Sequence, residues 1–314
     1  MLFFKLLTIS TAFFYSSFAH HGPHPRASKA DMIRRGKLSH HCSNHVAHFN
    51  EKRWKQSLAK RADFTNPSLM EAPYYDTIQN GTCVLSPEIT SGPYVWPRSQ
   101  TLRQEMSEDQ PGIPLWLDIG VMDMATCAPL EGALVDIWHC NATGKYSSFT
   151  EIKSIGDYQK EHNVSHVEFG VDDIHTDDTT FCRGMWPTDQ NGMMEVKTIF
   201  PGFYPKRAVH IHVQIHTDWS ARENGTMAHG NTVHTGEMYF DENLLQTVLA
   251  EQPYVSNTRV DRTLSSEDSI VAGNFEGGYS PMVSVVPADG EDVTKGMIGY
   301  ITLGVDTEAV KFKT

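Results

Sequence analysis

Residues 201–215 read Pro201-Gly202-Phe203-Tyr204-Pro205-Lys206-Arg207-Ala208-Val209-His210-Ile211-His212-Val213-Gln214-Ile215. From Val209 onward apolar and polar residues alternate, the period-two pattern of a strand whose successive side chains take opposite faces. His210 and His212 then share one face, while Ile211 and Val213 pack behind. Two imidazoles on one face can share a single ion. On spacing alone, His-x-His on a strand is more often a polar face than a metal site. His216 keeps the parity of the pair and is expected nearer solvent.

Working outward, similar short extended runs recur at Leu115–Val121, Ala133–His139, Met194–Ile199 and Met297–Val305. Turn chemistry separates them, as in Asp189-Gln190-Asn191-Gly192 and Ala288-Asp289-Gly290. One body segment, Glu242–Ala250, reads as a helix, with Asp241 placed to cap it. No linker-like stretch or internal repeat divides the body. Many short strands and few helices predict an all-β fold, a β-sandwich formed as one domain by residues 62–314. A chain of 314 residues is long enough to bury a full core.

The first 61 residues are of another kind. They hold 11 Lys/Arg against 2 Asp/Glu, whereas the remainder holds 15 against 36. So acidic a body is a poor ligand for polyanions, which excludes nucleic-acid binding. Residues 1–19 have the grammar of a secretory signal peptide: Lys5, an apolar Leu6–Tyr15, then Ser17-Phe18-Ala19. That run is too short to span a membrane, and no later stretch qualifies. The expected protein is therefore secreted. Acceptor triplets for glycosylation at Asn80, Asn141, Asn163 and Asn224 agree with this.

Residues 20–61 form a basic, His-rich leader holding Cys42. Two readings of it stand. Cleavage after the dibasic Lys60-Arg61 leaves Cys83, Cys127, Cys140 and Cys182, an even set with three connectivities. Alternatively, Cys42, Val46, Phe49, Trp54 and Leu58 keep helical spacing, the leader stays attached, and Cys42 bridges to the body.

The histidine pair has tyrosines near it. Tyr204 lies six residues before His210, and Trp138–Ser147 closes a strand with Gly144, Lys145 and Tyr146. A cupin reading fails, because His216 stands where that pattern wants its acid and Gly202 is too far upstream. Phenolate is a hard anionic donor suited to ferric iron, and two phenolates with two imidazoles leave Fe(III) with a net charge of about +1. A phenol whose free pKa is about 10 ionises as a ligand only beside a highly charged ion.

In this combination the chain resembles the intradiol ring-cleavage dioxygenases, most closely their secreted fungal branch. The resemblance runs from about Cys83 to Val305. It includes Pro87-Glu88, Gly92-Pro93-Tyr94, Asp118–Ala133, Trp138–Ser147, Arg183-Gly184, Thr188-Asp189, Gly192 and Thr198–His212. It implies a β-sandwich of the intradiol type and a non-haem Fe(3+) held by Tyr146, Tyr204, His210 and His212. Tyr204 is then the ligand released by substrate, and Arg207 the charge beside the bound ring. The implied reaction takes a small aromatic diol and dioxygen to a muconate-type diacid.

Two departures stand out. Glu237 occupies a position where many relatives carry glutamine, so a carboxylate that is acceptor-only when ionised adds negative charge near the iron. Val95 follows Tyr94 where relatives often have another tyrosine. Two rival readings remain: a non-catalytic transthyretin-like binding module, and metal capture by the leader, which holds seven of the 16 histidines.

Overall fold

A computed structural model describes residues 33–34, 37–38, 40–49, 51, 91–95, 101–150, 159–160, 163, 165–167, 172–223, 226–258, 260–274, 280–308 and 312–313. Its strands form two five-stranded sheets. In the first, β1 (Pro114–Asp123) is central. It pairs antiparallel with β5 (Met193–Ile199) and with the short β2 (Ala128–Pro129), and parallel with β9 (Met297–Val305), beyond which lies β8 (Ser284–Pro287). The second sheet runs β10 (Phe312–Lys313), β7 (Met227–Tyr239), β6 (His210–Ala221), β3 (Leu134–Trp138) and β4 (Arg183–Pro187).

The two sheets meet over one apolar core. Leu115, Leu117, Ile119 and Val121 enter it from β1, Val135 and Ile137 from β3, and Ile211, Val213 and Ile215 from β6. Alternation then fixes the other face of the second sheet. With Ile211 and Val213 turned to the core, His210 and His212 must project away from it. The ladder places Trp138, His212 and Glu237 in one cross-strand row and sets Tyr239 opposite His210.

The expected β-sandwich with few helices is therefore the observed fold. Met297–Val305 has its expected bounds; the other four runs shift at their ends, most of all β6, which continues to Ala221. The helix Glu242–Leu249 begins as expected, with the Asp241 side chain accepting from the Asn243 amide at 2.8 Å. Five strands had no counterpart in the sequence reading: β4, β7, β8 and the two-residue β2 and β10. The longest, β7, reads Met-Ala-His-Gly-Asn-Thr-Val-His-Thr-Gly-Glu-Met-Tyr; its two glycines and polar outer positions erase the apolar alternation on which detection depends. His216 also departs from expectation. The β6–β7 register shifts between Ile215 and His216, and His216 is fully buried with Nδ1 3.0 Å from Thr232 Oγ1.

Residues 40–49 form a helix, α1, whose Cys42, Val46 and Phe49 pack on Met122 and Met124. Cys42 is disulfide-bonded to Cys127 across 85 residues, which is the attached-leader reading. Cys140 and Cys182 are buried thiols, while Cys83, Pro87-Glu88 and Lys60-Arg61 lie outside the described residues. Among the described residues no helix is long and apolar enough to cross a membrane.

Candidate metal centre

The first two outward positions of β6 place His210 and His212 side by side, with their Nε2 atoms 3.1 Å apart. Tyr204, on the segment leading into β6, brings its hydroxyl to 3.2 Å from His210 Nε2. Two donors each about 2.1 Å from one ion and roughly at right angles stand about 3 Å from each other. The spacing of these three atoms is that of donors around a common centre. Ring orientation is fixed from behind. His210 Nδ1 lies 2.6 Å from the Ala208 carbonyl, to which it donates, leaving the Nε2 lone pair facing the centre. His212 lies flat against Trp138, with centroids 4.9 Å apart and planes 4° from parallel.

Tyr146 comes from the loop after β3. Its ring centroid is 5.6 Å from that of Tyr204 and 6.0 Å from that of His212, and its hydroxyl is buried without a well-formed hydrogen bond among the described residues. Tyr94 stacks on it at 4.3 Å. All four residues of the expected ligand set are thus buried in one place, although Tyr146 and His210 are 64 positions apart in the chain.

Glycine makes this meeting possible. Gly144 has φ +80°, and a Cβ there would stand 2.1 Å from the Phe203 carbonyl oxygen; a Cβ on Gly202 would stand 2.4 Å from that of Ala142. The Tyr146 and Tyr204 loops touch backbone to backbone, a distance that no side chain permits. Asn141 secures the first loop: its Oδ1 accepts from the amides of Thr143 and Lys145 at 3.1 and 3.0 Å. The Asn141 carbonyl accepts from the Gly202 amide at 3.2 Å, joining the loops. Behind Tyr146, the buried Arg183 donates from Nε to Ser147 Oγ at 2.9 Å and from Nη2 to the Ser147 carbonyl at 2.8 Å.

Burial shapes the charge states. It holds His210 below the ordinary imidazole pKa, so the ring is neutral and its lone pair available. Burial likewise raises Tyr204, and raises Tyr146 with the Tyr204 hydroxyl nearby adding to the effect, so both phenols keep their protons unless a cation is bound. Burial works against the charge of Arg207, but Glu237, Tyr204, Tyr239 and Asp268 together outweigh it, and the guanidinium stays fully protonated.

Glu237 lies under the pair of histidines. One oxygen accepts from both Arg207 Nη2 and the Tyr239 hydroxyl; the other is 3.5 Å from His212 Nδ1 and 3.7 Å from His210 Nε2. His210, His212 and Glu237 are close enough together to hold a metal ion as a two-histidine, one-carboxylate face. The donor directions favour a different use. An ion on the two Nε2 atoms leaves Glu237 beside the far nitrogen of His212, where an acceptor for Nδ1–H belongs. Asp268 completes the group by accepting from Arg207 Nε at 2.9 Å.

The sequence reading did not single out Tyr239 or Asp268. Tyr239 shares the parity of Glu237 in β7, a signal hidden because the strand itself was not recognised. Asp268 stands at the N-cap of the short helix Ser269–Asn274, with its side chain accepting from the Ile270 amide, a position that marks a helix start and not a site. Asp118, part of the resemblance, lies in β1, whose register is with β5 and β9 and not with the strands of the site.

Comparison with known proteins agrees with this geometry. Residues 89–224 match the family Dioxygenase_C, described as Dioxygenase. An intradiol ring-cleavage dioxygenase from Tetranychus urticae is 28% identical over 71% of this chain and 95% of its own, with a TM-score of 0.57. A 3-chlorocatechol 1,2-dioxygenase from Rhodococcus opacus 1CP is 19% identical, covering 82% and 86%, with a TM-score of 0.43. A catechol 1,2-dioxygenase from Pseudomonas arvilla C-1 is 18% identical, covering 90% and 79%, with a TM-score of 0.41. No curated protein matches the chain. The matched segment contains Tyr146, Tyr204, His210 and His212, and the fold is that of the mite enzyme. In the segment that carries the site, and in fold, the chain is thus similar to ring-cleaving dioxygenases of the intradiol type.

Proposed function

We propose that the protein is a secreted non-haem Fe(III) dioxygenase that cleaves catechol-type aromatic diols between the two hydroxylated carbons, yielding muconate-type diacids. The observation that carries this reading is the convergence of two buried imidazoles and two buried phenols, one of which, Tyr146, has a hydroxyl with no well-formed hydrogen bond among the described residues. A buried hydroxyl without a partner is costly, and a trivalent cation is the partner that suits it. Four donors of this kind fit ferric iron, whereas a ferrous site of the two-histidine, one-carboxylate kind has no use for the phenols.

Tyr146, Tyr204, His210 and His212 would hold the ion. When bound, the ion would supply Lewis acidity toward the two diol oxygens, easing loss of their protons. The remaining work falls to the chain. Tyr204 Oη, at the centre beside His210 Nε2, would be placed to take one proton from an incoming diol hydroxyl. Arg207, fixed by Glu237 and Asp268, offers a permanent positive charge where electron density builds on the ring. Tyr94 and Trp138 brace Tyr146 and His212 by stacking, and the buried setting keeps bulk water from the reacting atoms.

Secretion is supported by the leader grammar and by the Cys42–Cys127 bridge, since disulfides persist in oxidising compartments. The test is oxygen uptake by the purified chain with catechol, hydroxyquinol, protocatechuate and plant phenolics. One equivalent of O2 consumed per diol with a ring-opened diacid product is expected. No uptake by iron-replete protein with any of them contradicts the reading.

A further inference from the structure

We propose that Asp268 is a positioning residue of this centre, fixing Arg207 directly and His210 through Ala208, whose amide the carboxylate holds and whose carbonyl receives the imidazole; the proposal rests on the ferric reading above. Asp268 is 3% exposed. Its Oδ2 accepts from Arg207 Nε and from the Ala208 amide, both at 2.9 Å, while Oδ1 accepts from the Ile270 amide at 2.9 Å. Every contact of the carboxylate therefore ends on a backbone amide or on Arg207.

The Ala208 peptide transmits the hold. Its N–H is tied to Asp268, and the carbonyl of the same residue receives Nδ1–H of His210 at 2.6 Å. A rigid path thus runs from the carboxylate through one residue to the imidazole, whose Nε2 faces the centre. The second arm runs to the guanidinium. Asp268 occupies Nε and Glu237 occupies Nη2, leaving Nη1 buried and without a protein acceptor among the described residues. A guanidinium is a rigid fork, so two occupied nitrogens fix where the third points. The geometry leaves Nη1 as the donor for an oxygen of the bound diol. Asp268 lies beyond the 89–224 family match, on a segment that contributes no candidate ligand.

The experiment compares the full-length wild type with Asp268→Asn, which keeps the size of the side chain but removes its charge and replaces one acceptor oxygen with a donor. Both are loaded with iron, and catechol is the probe. Asp268→Asn is expected to fold, to bind iron, and to show a shifted phenolate-to-iron absorption band. Its kcat for oxygen uptake should fall tenfold or more, with KM within threefold. A variant with the wild-type band, kcat and KM overturns the proposal. So does a variant that fails to fold, because that assigns the carboxylate to stability alone. A wild-type protein that takes up no iron and shows no band defeats the ferric reading instead, and is recognised before the variant is compared.

Discussion

Tyr146 shows how one side chain can set stability against function. Its hydroxyl is buried with the Tyr204 hydroxyl nearby but finds no well-formed hydrogen bond among the described residues, so the metal-free protein bears a desolvation cost that a bound ion relieves. Tyr146→Phe should therefore leave the iron-free chain as stable as the wild type, or more stable by about 1 kcal/mol, in urea unfolding. The same variant should lose iron affinity by at least tenfold in chelator competition. A loss of apo stability of several kcal/mol would mean that the hydroxyl has a structural partner instead. At this scale the sequence was informative where residue chemistry is unusual. Two histidines of one parity with tyrosines nearby stood out, whereas Asp268 and Tyr239 act through hydrogen bonds that no local pattern announces. Glu237 was visible as a departure, but not its bonds to Arg207 and Tyr239, which depend on the pairing of β7 with β6.

Elements matter here for the accuracy with which they bring loops together. The Tyr146 and Tyr204 loops meet because Gly144 and Gly202 carry no Cβ. Gly144→Ala adds a methyl 2.1 Å from a carbonyl oxygen and strains a residue at φ +80°. We expect a loss of about 3 kcal/mol or more in urea unfolding, combining overpacking with left-handed backbone strain, and a weaker iron band. Tyr254 is a second brace: its hydroxyl donates to the Phe200 carbonyl at 2.8 Å and accepts from the Ile113 amide at 3.0 Å. Tyr254→Phe orphans that amide and should cost about 1–3 kcal/mol in the same measurement. Strands with a sustained apolar run were legible, as at Met297–Val305, which is buried along its whole length. Strand β7 was not, because Gly236 and His234 stand opposite the core-facing Val213 and Ile215 and interrupt the apolar face itself.

For the whole molecule, acid sensitivity follows from buried neutral histidines. Burial pushes the pKa of His139 down to about 4 from an ordinary 6.5, and its ring nitrogens lie 2.8 Å from the Cys140 carbonyl and from Thr198 Oγ1. Between those two pH values the unfolded chain binds the extra proton and the folded chain does not. Stability from this residue is therefore full above 6.5, falls as pH drops, and levels off below about 4. The slope is about 1.4 kcal/mol per pH unit for one such group. Unfolding of the iron-free chain at pH 7 and pH 5 should show the decline, and His139→Gln should flatten it. His210 is displaced in the same direction and adds to the trend.

The most direct test of the account is the iron content of the purified, full-length chain read together with its visible spectrum. One iron per chain and a reddish colour from phenolate-to-ferric charge transfer are predicted, with the colour abolished when Tyr146→Phe and Tyr204→Phe are combined. A folded protein that stays colourless and takes up no iron when ferric salt is supplied would contradict it.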